Sequence, residues 1–436
     1  MKNICIYIVL LWSTFAFSQN DQLAQYYYEK GDFEKAKIGY EELLNGSPSN
    51  TQYFLRTIDC YQQLQQFDVA EKAIQARFNK YKQGVFLVEL GYNFQLQKND
   101  AKAKNYYEQA IEKIKTSPND VYGIGSSFER KVLLEYALKA YQAVMQIQPN
   151  YNFNFQIGML YGQLGQTDKM IDILLTESFS NPQNSNLIQA QLARFMNGET
   201  DTTAFKDAMR KALILKTQKD QDVFWNHYLS WFYVQQKEFG KAFIQEKAIY
   251  KREPESLMSI VNLSRFALNE NDTETAEEIL NFILLNTRDL DLLIDTNANL
   301  MQIKIDKAQE KDYGTISAKL EELLKTYEIT PFTLSLQLIQ AHFVAFNLKK
   351  TEEGKAIVKK ALELNLNDYQ RADAKMELGD ILLLEEKFNQ ALIYYSQIQL
   401  DLKNDVMSHE ASLKAAKTSY FKTDFEWALT QFKALK

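Results

Sequence analysis

The stretch Leu23–Pro48, LAQYYYEKGDFEKAKIGYEELLNGSP, constrains the chain most, because the rest of the sequence repeats it. It reads as two short amphipathic helices joined by Lys30-Gly31-Asp32 and closed by Pro48. Ala24 and Ala36 are small, Tyr27 and Tyr40 are large, and Leu43 fills the far end. Small residues let two antiparallel helices approach, and the aromatics fill the space beside that contact. The pattern returns at Ile58, Tyr61, Ala70 and Ile74, then at Gly91, Phe94, Ala103, Tyr107 and Ala110. It returns again at Gly158, Tyr161, Leu174 and Pro182, at Gly379, Leu382, Ala391, Tyr395 and Ile398, and at Ala416, Ala428, Phe432 and Leu435. The period is about 34 residues. A globular chain of 436 residues would divide into separate cores, whereas a repeat array has one linear core that lengthens with each unit. Scarce Gly and Pro and the scarcity of strand-type alternation favour helices throughout.

Residues 1–18 are a different object. Lys2 gives a positive start, Ile4 to Trp12 is an apolar run, and Ala16-Phe17-Ser18 offers small residues where a signal peptidase reads. The expectation is a signal peptide cleaved before Gln19 rather than a membrane anchor, since the apolar run is short and Asn20-Asp21 follows at once. The formal charge of −6 becomes −7 once Lys2 is removed, and acids and bases are mixed along the helices. Nucleic acid and stable membrane insertion are therefore not expected. Cys60 is the one cysteine left after cleavage, so no intramolecular disulfide forms, and it reads as a helix-packing residue.

From Gln22 onward the chain resembles the tetratricopeptide repeat family. The resemblance implies an all-α fold, a right-handed α-solenoid (superhelix) of about eleven or twelve helix–turn–helix repeats. It divides as a leader at 1–18, an N-terminal array at 19–197, a divergent repeat or hinge at 198–219, and a C-terminal array at 220–436. Usage rich in Asn, Lys, Tyr and Phe resembles that of exported proteins of the Bacteroidota. Four departures stand out. Met170 replaces the small residue of a second helix and should loosen that pair. The stretch after Gly198 is turn-like and ambiguous in register. The first helix of the ninth unit reads as extended from Lys304 to Asp312. His342 occupies a small-residue position, so it is either rotated out or tolerated by a wider gap. The chain stops inside a second helix with no polar cap, which predicts a fragment of a longer protein or an end covered by another molecule, with self-association through that end.

No catalytic constellation emerges. His227, His342 and His409 lie in different repeats without a metal-ligand spacing, so no metal and no cofactor are expected. Gly123-Ile124-Gly125 lacks the strand and lysine of a phosphate loop, and Gly125 falls at the small helix-contact position. Asp289, Asp291 and Asp295 read as acids at a helix start, without the glycine and distal glutamate of a calcium loop.

The informative surface is the groove that the resemblance implies along the first helices. Its register places Phe155, Met159, Phe224, His227, Trp231, Phe343 and Phe346 there as a partner-binding set. These side chains either pack between neighbouring helices or form an apolar trough for an extended or helical protein segment. Some family members clamp a terminal carboxylate there with lysines and asparagines; this chain shows mostly acidic, amide and apolar side chains, so that mode is not expected. The leading expectation is a non-enzymatic protein-interaction scaffold of the periplasm or cell envelope of a Gram-negative bacterium. Alternatives are a carbohydrate-binding or glycan-handling component, and the helical part of an enzyme whose catalytic domain lies beyond residue 436.

Overall fold

The fold is a computed structural model that describes residues 20–198 and 202–435. The leader expected at 1–18 lies outside the described residues, as do 199–201 of the divergent stretch and Lys436. All regular structure among the described residues is helical, and it forms twelve consecutive helix pairs. The chain divides into two compact units, the first ending at Ala212 and the second starting at Leu213. In the first, α1 (20–29) pairs with α2 (Phe33–Gly46), α3 (Thr51–Gln63) with α4 (Phe67–Tyr81), and α5 (Val85–Leu96) with α6 (Asp100–Thr116). Next come α7 (Val121–Arg130) with α8 (Leu134–Ile147), α9 (Asn154–Gln163) with α10 (Thr167–Ser180), and α11 (Ser185–Met196). Helix α12 (Thr203–Lys219) crosses the division.

The second unit continues with α13 (Val223–Gln235) and α14 (Phe239–Arg252), α15 (Met258–Asn269) and α16 (Thr273–Asn286), and α17 (Leu290–Asp306) and α18 (Tyr313–Tyr327). The last pairs are α19 (Leu334–His342) and α20 (Thr351–Leu362), α21 (Asp368–Leu384) and α22 (Phe388–Asp401), and α23 (Val406–Phe421) and α24 (Phe425–Ala434). First helices of successive pairs also touch, notably α5 with α7 in the first unit and α19, α21 and α23 in the second.

The small–large interlock explains why pairs form. A Cβ at Gly125 would lie 2.5 Å from the Tyr141 ring, and one at Gly379 would lie 2.5 Å from the Tyr395 ring. Each ring thus sits in a notch that only glycine leaves. Burying a tyrosine leaves its hydroxyl to satisfy, and the partner helix does so. Tyr40 donates to Gln25 (2.8 Å), Tyr107 to Gln95 (2.7 Å), Tyr141 to Glu129 (2.5 Å) and Tyr395 to Asp380 (2.7 Å). Cys60 is fully buried, and burial together with Asp59 pushes its thiol up to about 12, so it packs rather than reacts.

Two local expectations change, and at His342 one of the two alternatives holds. Met170 does not loosen its pair, because its sulfur takes the space that a Cβ at Gly162 would need. Helix α17 ends at Asp306 rather than running to Asp312; the extra residues make a loop closed by Gln309 and Asp312, which cap each other's backbone. His342 is rotated out. The close contact with Gly354 comes instead from Ala341 and Ala345, and a π turn at Phe343–Asn347 absorbs the shift in register. At the end of the chain Ala428 is the buried residue of α24, while Phe425, Trp427 and Leu429 are exposed.

Candidate functional site

The residues assigned to the groove meet different fates. Phe155 and Met159 are half-buried on α9, in the first unit. On α13 of the second unit, Phe224 is half-buried 5.5 Å from Tyr228, Trp231 is half-buried edge-on to the same ring at 5.4 Å, and His227 is exposed. Phe343 is not a groove residue: it is 0% exposed and packs edge-on against Tyr313 at 5.4 Å. The cause is the one-residue shift at His342, which carries Phe343 into the core and gives its outward place to the histidine. Phe346 stays half-buried and stacks on the His342 ring, 4.1 Å between centroids and 12° from parallel.

Phe346 and His342 open onto a cleft of about 580 Å³ whose other walls are Asp380, Leu383, Leu384, Glu386, Phe388 and Phe421. Leu384 is 40% exposed and Phe421 57%. The cleft gathers the C-terminal ends of α21 and α23 and the turn into α22, so large apolar side chains meet there, with Phe346 and Leu383 backed by the core of the second unit. Its rim is ionised. His342 Nδ1 lies 3.1 Å from Glu377, and that hydrogen bond holds the imidazole above its ordinary pKa against the opposing effect of burial. Asp380 accepts from the Tyr395 hydroxyl and from Lys414 Nζ at 2.5 Å. Asp373 is raised by enclosure beside its neighbours and by the charge of Glu410. Helical spacing along α21 was the sequence signal for these residues; register matching along the first helices missed them.

The first unit carries a polar counterpart. Lys131, at the turn after α7, reaches Asp59 at 2.5 Å, Gln62 at 3.1 Å and Glu89 at 3.3 Å. Glu89 also accepts from Arg130 (2.5 Å) and Ser127 (2.7 Å). Burial pulls the Lys131 ammonium down, and Glu89 and Asp59 more than reverse it, so its pKa is raised. Beside this knot a cleft of about 520 Å³ runs between Arg56, Gly84, Gly123 and Arg130. The knot's charges face one another, which makes it a fastening between helix pairs.

Among the described residues no group of three or more His, Cys, Asp or Glu side chains is arranged to hold a metal ion, and no helix is long and apolar enough to cross a membrane. No protein-family model matches the sequence, and no curated protein matches it. The chain is similar to solved structures at low identity. One is of Naa15/Naa10 bound to HypK-THB, at 13% identity over 95% of this chain and 68% of that one, with a TM-score of 0.30. A second is the yeast Tom70, at 12% over 94% and 97%, with a TM-score of 0.34. A third is the APC/C hetero-tetramer Cut9-Hcn1, at 11% over 97% and 94%, with a TM-score of 0.34. Likeness at these values carries no partner or activity over to this chain.

Proposed function

We propose that this chain is a non-enzymatic scaffold of the cell envelope, exported with loss of residues 1–18, that holds a segment of a partner protein on the second unit. The observation that carries the reading is the cleft between Phe346, Leu383, Leu384, Phe388 and Phe421, in which Leu384 and Phe421 are exposed and the other three are half-buried. An apolar hollow built on packed helices is pre-organised, so a ligand segment gives up entropy while the protein gives up little.

Selection of a phage-displayed random peptide library against residues 19–436 tests it, with Leu384→Asp/Phe421→Asp as the counter-target. Leu384 is 40% exposed and Phe421 57%, so both introduced charges reach water, and a melt run beside the selection should stay close to the parent's. Peptides that bind the parent and lose at least ~10-fold in affinity on the variant are expected, since a charge in an apolar contact is left unpaired. Selected peptides that bind both proteins equally, or no selection at all, would overturn the reading. Recovery of protein with an intact Met1 from its host would refute the exported part.

A further inference from the structure

The cleft has a charged approach. Helix α21 places Asp373, Glu377, Asp380 and Leu384 at intervals of four, three and four residues, which is one line along a helix. The line faces α19 and α23: Glu377 meets His342, Asp380 meets Lys414, and Asp373 meets Glu410. The carboxylates of Asp373, Glu377, Asp380 and Glu410 are thus set against the ammonium of Lys414 and the titratable ring of His342. At its C-terminal end the line runs into the apolar cleft, whose lip carries one more acid, Glu386. A ligand that follows α21 therefore meets carboxylates over about two turns, more of them than the two basic groups set against them, and then an apolar hollow.

We propose that the segment held by the second unit is cationic and amphipathic, with Lys or Arg side chains along Asp373, Glu377 and Asp380 and an apolar side chain between Phe346, Leu384 and Phe421. This rests on the reading that the cleft holds a partner segment. Charge complementarity selects the occupant: an acidic segment would be repelled along the whole line, and a phosphate-bearing surface likewise. The apolar end supplies holding energy that charge alone does not, because partly exposed ion pairs are weak one by one. The acids set which segment arrives, and the cleft sets how long it stays.

Four fluorescein-labelled synthetic peptides and the mature chain, residues 19–436, make the test. The first carries lysines at helical spacings of four and three residues followed, four residues on, by leucine. The second replaces each lysine by glutamine, the third by glutamate, and the fourth keeps the lysines and replaces the leucine by serine. Fluorescence polarisation should show the lysine–leucine peptide binding about 10-fold tighter than the glutamine one, as expected for three partly exposed ion pairs. The glutamate and serine peptides should bind weakest, and the lysine preference should shrink as salt rises from ~50 to ~500 mM. The variant Asp373→Asn/Glu377→Gln should lose the preference and keep its affinity for the glutamine peptide. Neutralising Asp373 relieves its repulsion with Glu410, whereas Glu377→Gln weakens the contact with His342, so Asp373→Asn alone is measured beside it and should lose part of the preference at an unchanged melting midpoint. Equal binding of the lysine and glutamine peptides, or tighter binding of the glutamate one, overturns the inference and leaves the apolar cleft standing as a binding site. Failure of all four peptides to bind overturns the inference, and the phage selection then decides whether the cleft reading falls with it.

Discussion

Each of ten helix-pair turns among the described residues holds one residue at positive φ: Gly31, Gln65, Lys98, Val132, Gly165, Lys237, Asn271, Lys349, Glu386 and Thr423. The turn demands a left-handed residue to reverse the chain in so few steps, and glycine fills it only at positions 31 and 165. Elsewhere an L-residue bears about 1–2 kcal/mol of steric cost. Val132, like Thr423, is badly placed, being β-branched at φ 58°. Its side chain is also 73% exposed, so no packing repays the strain. Val132→Gly should therefore stabilise the first unit by roughly 0.5–1 kcal/mol, net of the extra freedom glycine gives the unfolded chain. A thermal melt should show a rise of about 2 °C; an unchanged or lower midpoint would contradict the strain argument. The sequence displayed the turn at Lys30-Gly31-Asp32 because glycine announces it. At Gln65, Lys98 and Val132 the same conformation is imposed by the helices on either side, and no residue type marks it.

Helix α21 shows what element-level reading can and cannot supply. Its buried stripe was legible from Gly379 and Leu382, and its acidic line was present in the spacing of Asp373, Glu377 and Asp380. The preceding pair was misaligned because a π turn adds a residue to one helical turn, and neither composition nor period betrays such an insertion. Phe343 and His342 exchanged roles as a result. At the end of α21, Glu385 locks onto the neighbouring pair through Lys355 at 2.7 Å, with Lys387 at 2.9 Å. Burial would raise the Glu385 carboxyl, but hydrogen bonds from Lys355, Thr351 and Lys387 outweigh it and leave the pKa at about 2. A depressed acid stabilises the fold above its unfolded pKa of about 4.3 and loses that contribution as pH falls through the folded value. Glu385→Gln should thus melt lower than the parent at pH 7, with the gap closing between about pH 4.3 and pH 2. Melts across that range check it; a gap that stayed constant to pH 2 would assign the loss to packing instead.

At the scale of the whole chain, the repeat itself was the clearest signal, since independent copies of one small–large pattern correct one another's errors. Contacts that skip a repeat have no such redundancy. Lys131 and Asp59 stand 72 positions apart, and nothing periodic pairs them. In a linear array each unit ordinarily holds only its neighbours, and units can be lost one at a time. The knot of Lys131, Glu89 and Asp59 joins the pairs α3/α4, α5/α6 and α7/α8 across that rule. Its consequence is mechanical. Stretched between its ends, this part of the chain should hold until the knot fails and then release everything from Thr51 to Ile147 together, a step of roughly 350 Å at about 3.6 Å per residue. In Lys131→Met the same tether should instead give way in increments of about 120 Å, one helix pair each. Optical-tweezer traces of the two proteins would separate these outcomes, and small steps in the parent would mean the knot bears no load. Three hairpins would then act as a single link, a place where a tether made of repeats resists being paid out under tension.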